Sequence, residues 1–329
     1  MSIIFLLVGI LSIGLKLTAV ESIGVCYGMI GNNLPSRQDV VNLYRSRGIN
    51  QMRLYFPDEQ ALQALRGSNI ELILDVARET LNSLRNANEA TNWVNRYVKP
   101  YARDVKIKYI TVGNEIKPYD SEAQSILPAM QNIQNAISAA NLQGQIKVSI
   151  AIDMTLIGNS YPPNNGVFTD QAKPYIQPII NFLKNNGAPL LANVYPYFAY
   201  INNKQSISLD YALFRQQGNN QVGYRNLFDA QLDSVYAALE KVGASGVKIV
   251  VSESGWPSAG GDSASTDNAA TYYRNLINHV RNGTPKRPGA IETYLFAMFD
   301  ENQKTGAATE QHFGLFNPNR TPKYQISFN

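Results

Sequence analysis

Lys248-Ile-Val-Val-Ser-Glu-Ser-Gly-Trp-Pro257 is the stretch from which the fold can be read. Ile249 to Ser252 are mostly β-branched and show no polar alternation, which predicts a strand buried on both faces. Gly255 and Pro257 then break the strand, so Glu253 is delivered at its C-terminal tip. A second stretch repeats the arrangement far upstream. In Tyr109-Ile-Thr-Val-Gly-Asn-Glu115 an apolar run reaches Gly113 and ends on an amide–acid pair, Asn114 and Glu115. Two glutamates at strand tips, one preceded by Asn and one followed by Gly-Trp-Pro, are the expected functional centre of the chain.

Outward from these strands, apolar runs alternate with helix-period segments along the whole length. Strands are predicted over 23–27, 51–55, 71–76, 109–113, 147–151, 190–194, 248–253 and 293–299. Helices are predicted over 35–47, 121–140, 174–186, 228–242 and 266–281, with weaker ones over 58–66 and 88–99. Gly48 and Gly187 stand where helix stops are expected, and Ser121 with Gln124 reads as a capping box. Eight strand–helix repeats with no linker and no composition shift predict a single-domain α/β fold, a closed (β/α)8 barrel. An open doubly wound sheet would place a glycine-rich phosphate turn after the first strand. Gly28-Met-Ile-Gly-Asn-Asn33 lacks that spacing. Residues 201–226, rich in Asn, Gln and Tyr, read as an insertion after the sixth strand.

The apolar run Ile3 to Leu15 is too short to span a membrane, and small residues at Val20 and Ser22 suit signal-peptidase cleavage before Ile23. Residues 1–22 are therefore expected to be a secretory signal peptide and 23–329 the barrel domain. Cys26 is the sole cysteine, so no internal disulfide can form, and within Ile23-Gly-Val-Cys-Tyr27 it reads as an apolar filler. Stability must come from a large core. Sequons at Asn282 and Asn319 are each followed by proline (Pro285, Pro322), and poor occupancy is expected. The formal charge of +4 is scattered without aromatic interleaving, which gives no footprint for nucleic acid. No cofactor is expected, nor any membrane partner, and the chain is expected to act as a monomer.

Strand tips on the C-terminal side of such a barrel share one bowl. Two carboxyls facing each other there suit cleavage of an acetal, one protonating the leaving oxygen while the other, ionised, attacks or screens the sugar carbon. No other apparatus competes. His279 and His312 lack metal-ligand spacing, and His279, on an outer helix without an acidic neighbour in sequence, reads as structural. There is no Gly-x-Ser-x-Gly elbow, phosphate loop or Cys–His pairing, and no metal ligand set. Tyr195-Pro-Tyr-Phe-Ala-Tyr200, Tyr55-Phe56 and Trp256 put aromatics at the same strand ends, where sugar rings can lie on them. Tyr55, Asn114, Asn193, Tyr195, Phe198 and Trp256 are the expected substrate-binding residues.

Val250-Val-Ser-Glu-Ser-Gly-Trp-Pro-Ser258 resembles the signature of glycoside hydrolase family 17, and Val112-Gly-Asn-Glu115 resembles its acid/base strand. The resemblance runs from Ile23-Gly-Val-Cys-Tyr-Gly28 through Asn193-Val-Tyr-Pro-Tyr197 to Phe313-Gly-Leu-Phe316, and is to the plant endo-β-1,3-glucanases, which act in defence on callose and fungal wall glucan. It implies a retaining mechanism with Glu253 as nucleophile and Glu115 as general acid then base, supported by Glu301, Lys304 and Glu310. Retention implies carboxyls about 5–5.5 Å apart. Asp300 departs from the Asn common in the family. The chain ends at Ser327-Phe-Asn329 without the C-terminal extension of many vacuolar members, so the extracellular space or cell wall is expected rather than the vacuole. The alternatives are the same chemistry on mixed-linkage β-1,3;1,4-glucan, a glucan-binding protein without turnover, and a purely structural wall protein.

Overall fold

The computed structural model describes residues 23–328; the expected signal peptide lies outside them. Among the described residues eight parallel strands close into a barrel in the order of the chain. They are β1 (Gly24–Tyr27), β2 (Gln51–Leu54), β3 (Glu71–Asp75), β4 (Lys106–Asn114), β5 (Lys147–Asp153), β6 (Leu190–Asn193), β7 (Ile249–Ser254) and β8 (Thr293–Leu295). A (β/α)8 barrel is what the eight repeats predicted.

The helices pack outside, burying apolar stripes such as Ile126, Met130, Ile133 and Ile137 of Ala123–Ala139 against the strands. Gly48 and Gly187 both adopt the left-handed conformation that ends the preceding helix. The capping box does not form. Ser121 Oγ donates instead to Glu122, whose carboxylate is held by Arg78, and the helix begins only at Ala123. β8 is also shorter than predicted. Beyond Leu295 the chain leaves the regular ladder, and Ala297 N and Met298 N bond to Phe313 O and Cys26 O. After β6 come the helix Pro196–Asn202, which reaches only the first two residues of the expected insertion, and the single helical turn Leu209–Ala212 within it. The loop after β5 contains a small ribbon, Ile157–Gly158 against Val167–Phe168, that the sequence did not announce.

Inside the barrel a second, smaller core gathers Cys26, Ile73, Ala151, Leu191, Val250 and Tyr294. Alternate residues of a strand share a face. On β2 that rule takes Gln51, Arg53 and Tyr55 into the lumen at increasing height, and Arg53 is completely buried. The lumen is thus apolar at mid-height and strongly polar at both ends.

Candidate active site

The two glutamate-bearing strands each carry an extra residue next to the acid. Between β6 and β7 the register passes from Ala192↔Val251 to Asn193↔Glu253, and between β4 and β5 from Thr111↔Ser149 to Asn114↔Ala151. Such bulges bend a strand and re-aim its side chains. Glu115, just past β4, lies in the left-handed region at φ 54°, held by its amide on Ala151 O at 2.9 Å. A non-glycine residue there stores strain of order 1–3 kcal/mol, which the surrounding structure must over-determine.

Glu253 is 5 % exposed and both oxygens of its carboxylate accept hydrogen bonds. Oε1 accepts from Arg53 Nη1 and Tyr55 OH, both at 2.9 Å, and Oε2 accepts from Tyr195 OH at 2.6 Å. Burial, and then the Glu253 charge among its neighbours, pushes both tyrosines well above their ordinary range, so they stay protonated donors. Arg53 is the hub of the site. It pairs with Asp75 at 2.7 Å and donates to Asn114 Oδ1 at 2.9 Å and Asn193 Oδ1 at 3.2 Å. Burial works against its charge, but Asp75 and Glu253 together hold the guanidinium firmly protonated.

Glu115 is treated differently. One carboxyl oxygen accepts from Asn193 Nδ2 at 2.8 Å, and the same amide nitrogen reaches Asn114 Oδ1 at 3.0 Å. Burial first, and the Glu253 charge second, push Glu115 up to about 7. It is therefore protonated in mildly acidic solution. The two carboxyls of this one site are thus treated unlike, one cradled by donors and one desolvated beside a negative charge.

The third wall is the segment after β8. Glu301 accepts from Ile30 N at 2.9 Å, and burial raises it above the usual carboxylate range. Lys304 pairs with Glu310 at 2.9 Å and lies over the Phe296 ring, 4.5 Å from its centroid. Glu301 can sit so close to the first strand only because residue 28 is glycine. A Cβ there would fall 2.3 Å from the Glu301 carboxylate. Asp300, next in the chain, accepts from Lys323 Nζ at 2.8 Å and from Gly314 N at 2.7 Å. Its charge is matched by the C-terminal segment.

Glu115, Glu253, Glu301, Lys304 and Glu310 line an open cleft of about 770 Å³ with Phe56, Asp153, Phe198 and Phe313 on its walls. Past Glu115 and Phe56 it runs on into a basin of about 650 Å³ over Val76–Thr80, Trp93 and Tyr97. The structure thus gathers Tyr55, Asn114, Glu115, Asn193, Tyr195, Phe198, Glu253, Glu301, Lys304 and Glu310 at one mouth. Trp256 is the exception and corrects the expectation of a stacking platform. It is wholly buried, packed on Tyr197, Tyr200 and Tyr272, with its indole N–H on Ser263 O at 2.9 Å. The Gly-Pro turn around it swings the ring back into the packing behind Glu253. His279 does have an acidic partner, Asp229 at 2.6 Å, on the outer helices.

Arg53 and Asp75 were missed by the sequence reading. Their signal was present: a charge at the centre of Gln51-Met-Arg-Leu54 and another at the end of an apolar run, neither tolerable inside a barrel unless paired.

The model of the glycosyl hydrolases of family 17 matches residues 23–328. The chain belongs to that family. Among similar family 17 proteins, a glucan endo-1,3-beta-glucosidase of Vitis vinifera is 58% identical, over 99% of this chain and 97% of that protein. The solved structure of CJP38, a beta-1,3-glucanase and allergen of Cryptomeria japonica pollen, superposes with a TM-score of 0.90 at 48% identity, covering 94% of this chain and 99% of its own. A structure from a study of two plant beta-glucan endohydrolases with distinct substrate specificities superposes with a TM-score of 0.89 at 44% identity, over 93% and 100% of the two chains.

Proposed function

We propose that the protein hydrolyses internal β-1,3 linkages of β-glucan with retention of configuration. Supporting this reading is the unlike treatment of two carboxyls that line one groove, Glu115 desolvated near 7 and Glu253 held by Arg53, Tyr55 and Tyr195. In the first step Glu253 attacks the anomeric carbon as Glu115 transfers its proton to the departing glycosidic oxygen. Esterification removes the Glu253 charge, one of the two main influences holding Glu115 high. Glu115, now a carboxylate, takes a proton from water, and that water displaces Glu253 from the sugar. Tyr55 and Tyr195 hold the nucleophile in line, and Glu301, Lys304 and Glu310 form the wall beside it. A groove continuing past Glu115 into a second basin suits a chain cut within its length.

The substrate is argued from the family and from the relatives' printed activities. Mixed-linkage β-1,3;1,4-glucan is the second reading, because a solved relative comes from a pair of endohydrolases with distinct specificities. Laminarin and mixed-linkage glucan assayed side by side, with product anomers followed by NMR, test both. Rapid release of β-anomeric oligosaccharides from laminarin is expected. Preference for the mixed glucan would transfer the assignment, α-anomers would refute retention, and absence of reducing ends would leave only a binding protein. We further propose secretion to the extracellular space after removal of residues 1–22, action as a monomer, and a defence role. The N-terminal residue of the mature protein, expected to be Ile23, and its mass in solution test the first two. Fungal wall glucan and callose as substrates test the third. Among the described residues no helix is long and apolar enough to cross a membrane.

A further inference from the structure

We propose that Lys117, two residues past Glu115, and its ion-pair partner Asp153 on the groove wall are positioning residues that set the proton affinity of the acid; this rests on Glu115 being the proton donor. Lys117 follows Glu115 by two residues, and Asp153 ends the neighbouring strand β5. The Lys117 ammonium contacts the Asp153 carboxylate and lies 3.0 Å from Thr155 Oγ1. Asp153 Oδ1 in turn accepts from Thr155 N at 3.0 Å and Thr155 Oγ1 at 2.6 Å. The backbone N of Lys117 donates to Asp120 at 3.0 Å, and Asp120 is paired with Arg78 at 3.1 Å. The loop carrying the acid is thereby fastened to the end of β5. Asp153 and Thr155 line the same cleft as Glu115.

Arg78 and Glu79 past β3, and Glu301, Lys304 and Glu310 past β8, line the same groove as Glu115, but the charges that act on it most strongly come from three elements. Glu253 stands on β7, Asp153 on β5 and Lys117 on its own loop, while β6 contributes the neutral donor Asn193. After burial and Glu253, Asp153 adds to the upward shift of Glu115 and Lys117 opposes it. In the intact pair the two influences act against each other. Removing either member leaves the other uncompensated, so the two removals must act with opposite sign. A pair that merely braced the loop would not produce this.

The test is the alkaline limb of the kcat/KM profile on laminarin, which reports the acid in the free enzyme. Lys117→Met leaves the Asp153 charge and is expected to move the limb up by roughly half a pH unit, the size expected of a single partly solvated charge nearby. Asp153→Asn leaves the lysine charge and should move it down by a similar amount. The double variant should return close to the parent, and Lys117→Arg should not move the limb. Thermal melts establish that each variant is folded; Asp153→Asn, nearly isosteric, carries the sign test if Lys117→Met is not. Shifts of one sign in both variants, or no shift in either, would overturn the proposal. Glu115→Gln separates the two readings: an alkaline limb that persists in this variant refutes Glu115 as the acid, whatever the pair does.

Discussion

The two ends of the barrel lumen hold nearly the same set of groups. At the mouth, Glu253 accepts from Arg53, Tyr55 and Tyr195. At the floor, Glu292 accepts from Lys108 at 3.0 Å, Tyr109 at 3.0 Å and Tyr294 at 3.1 Å. Each is a nearly buried glutamate served by one cation and two phenols, yet of the two only Glu253 lines the groove. A cradled carboxylate is therefore not by itself a sign of catalysis, since any charge that closes a barrel end must be paired. Three things separate the mouth from the floor. The cation above is a completely buried Arg that also orients Asn114 and Asn193, whereas Lys108 is 30% exposed. The second glutamate of the floor, Glu71, is paired with the same Lys108 and accepts from Gln51, whereas Glu115 at the mouth accepts from one amide, that of Asn193. Finally, the mouth opens into the groove that Glu115 and Glu253 line.

The sharpest way to break the comparison is to neutralise both glutamates. Glu253→Gln is expected to lose at least about three orders of magnitude in kcat while still binding oligosaccharide, as other nucleophile removals do. Glu292→Gln should stay within a few-fold of the parent and show its effect in thermal unfolding. Comparable losses in the two would dissolve the distinction. Next in size, Glu115→Gln should lower kcat on laminarin by about 10²–10⁴-fold, the usual worth of a placed acid. For the parent, kcat/KM should fall as pH rises through about 7.

Stability carries the same signature. With a folded value above the unfolded one, Glu115 binds more protons in the native state between about 4.5 and 7, so its ionisation costs stability as pH rises through that window. Glu115→Gln should therefore melt higher than the parent at pH 7, by roughly 1–3 kcal/mol, and gain nothing at pH 4. Paired scanning calorimetry at the two pH values measures it.

Smaller effects sharpen the map of the mouth. Gly28→Ala must displace Glu301, because the new methyl would sit 2.3 Å from its carboxylate. A loss of about tenfold in kcat/KM with roughly 1–3 kcal/mol of destabilisation is expected, the latter being the usual cost of overpacking. The smallest kinetic change should come from Trp256→Phe. It removes the bond to Ser263 O and some buried volume, so stability should drop by roughly 1–3 kcal/mol while KM stays near the parent value. A large rise in KM would return Trp256 to the substrate.

Much of this could be read without coordinates, and the residues show why. The strand repeat was legible because a barrel strand buried on both faces must be an unbroken apolar run, as Ile249-Val-Val251 is. Glu115 and Glu253 were legible because Gly113 and Gly255 mark where those runs end. The local signals failed where a neighbour overrode them. Ser121 bonded Glu122 instead of capping its helix, Trp256 turned inward, and β8 gave up its ladder after Leu295.

What the sequence alone determined, then, is a ring of eight strands with two acids at their tips and the family to which the chain belongs. The family resemblance already gave Glu115 the proton; only the tertiary structure shows the burial and opposing charge that raise its proton affinity, and which side chains hold Glu253. A strand pattern states which residues are buried, but not what each one meets. Arg53 reaches Asp75, Asn114, Asn193 and Glu253 across as many as 200 residues of chain. The proton affinity of Glu115 is set by those meetings, through the water removed and the charge left opposite.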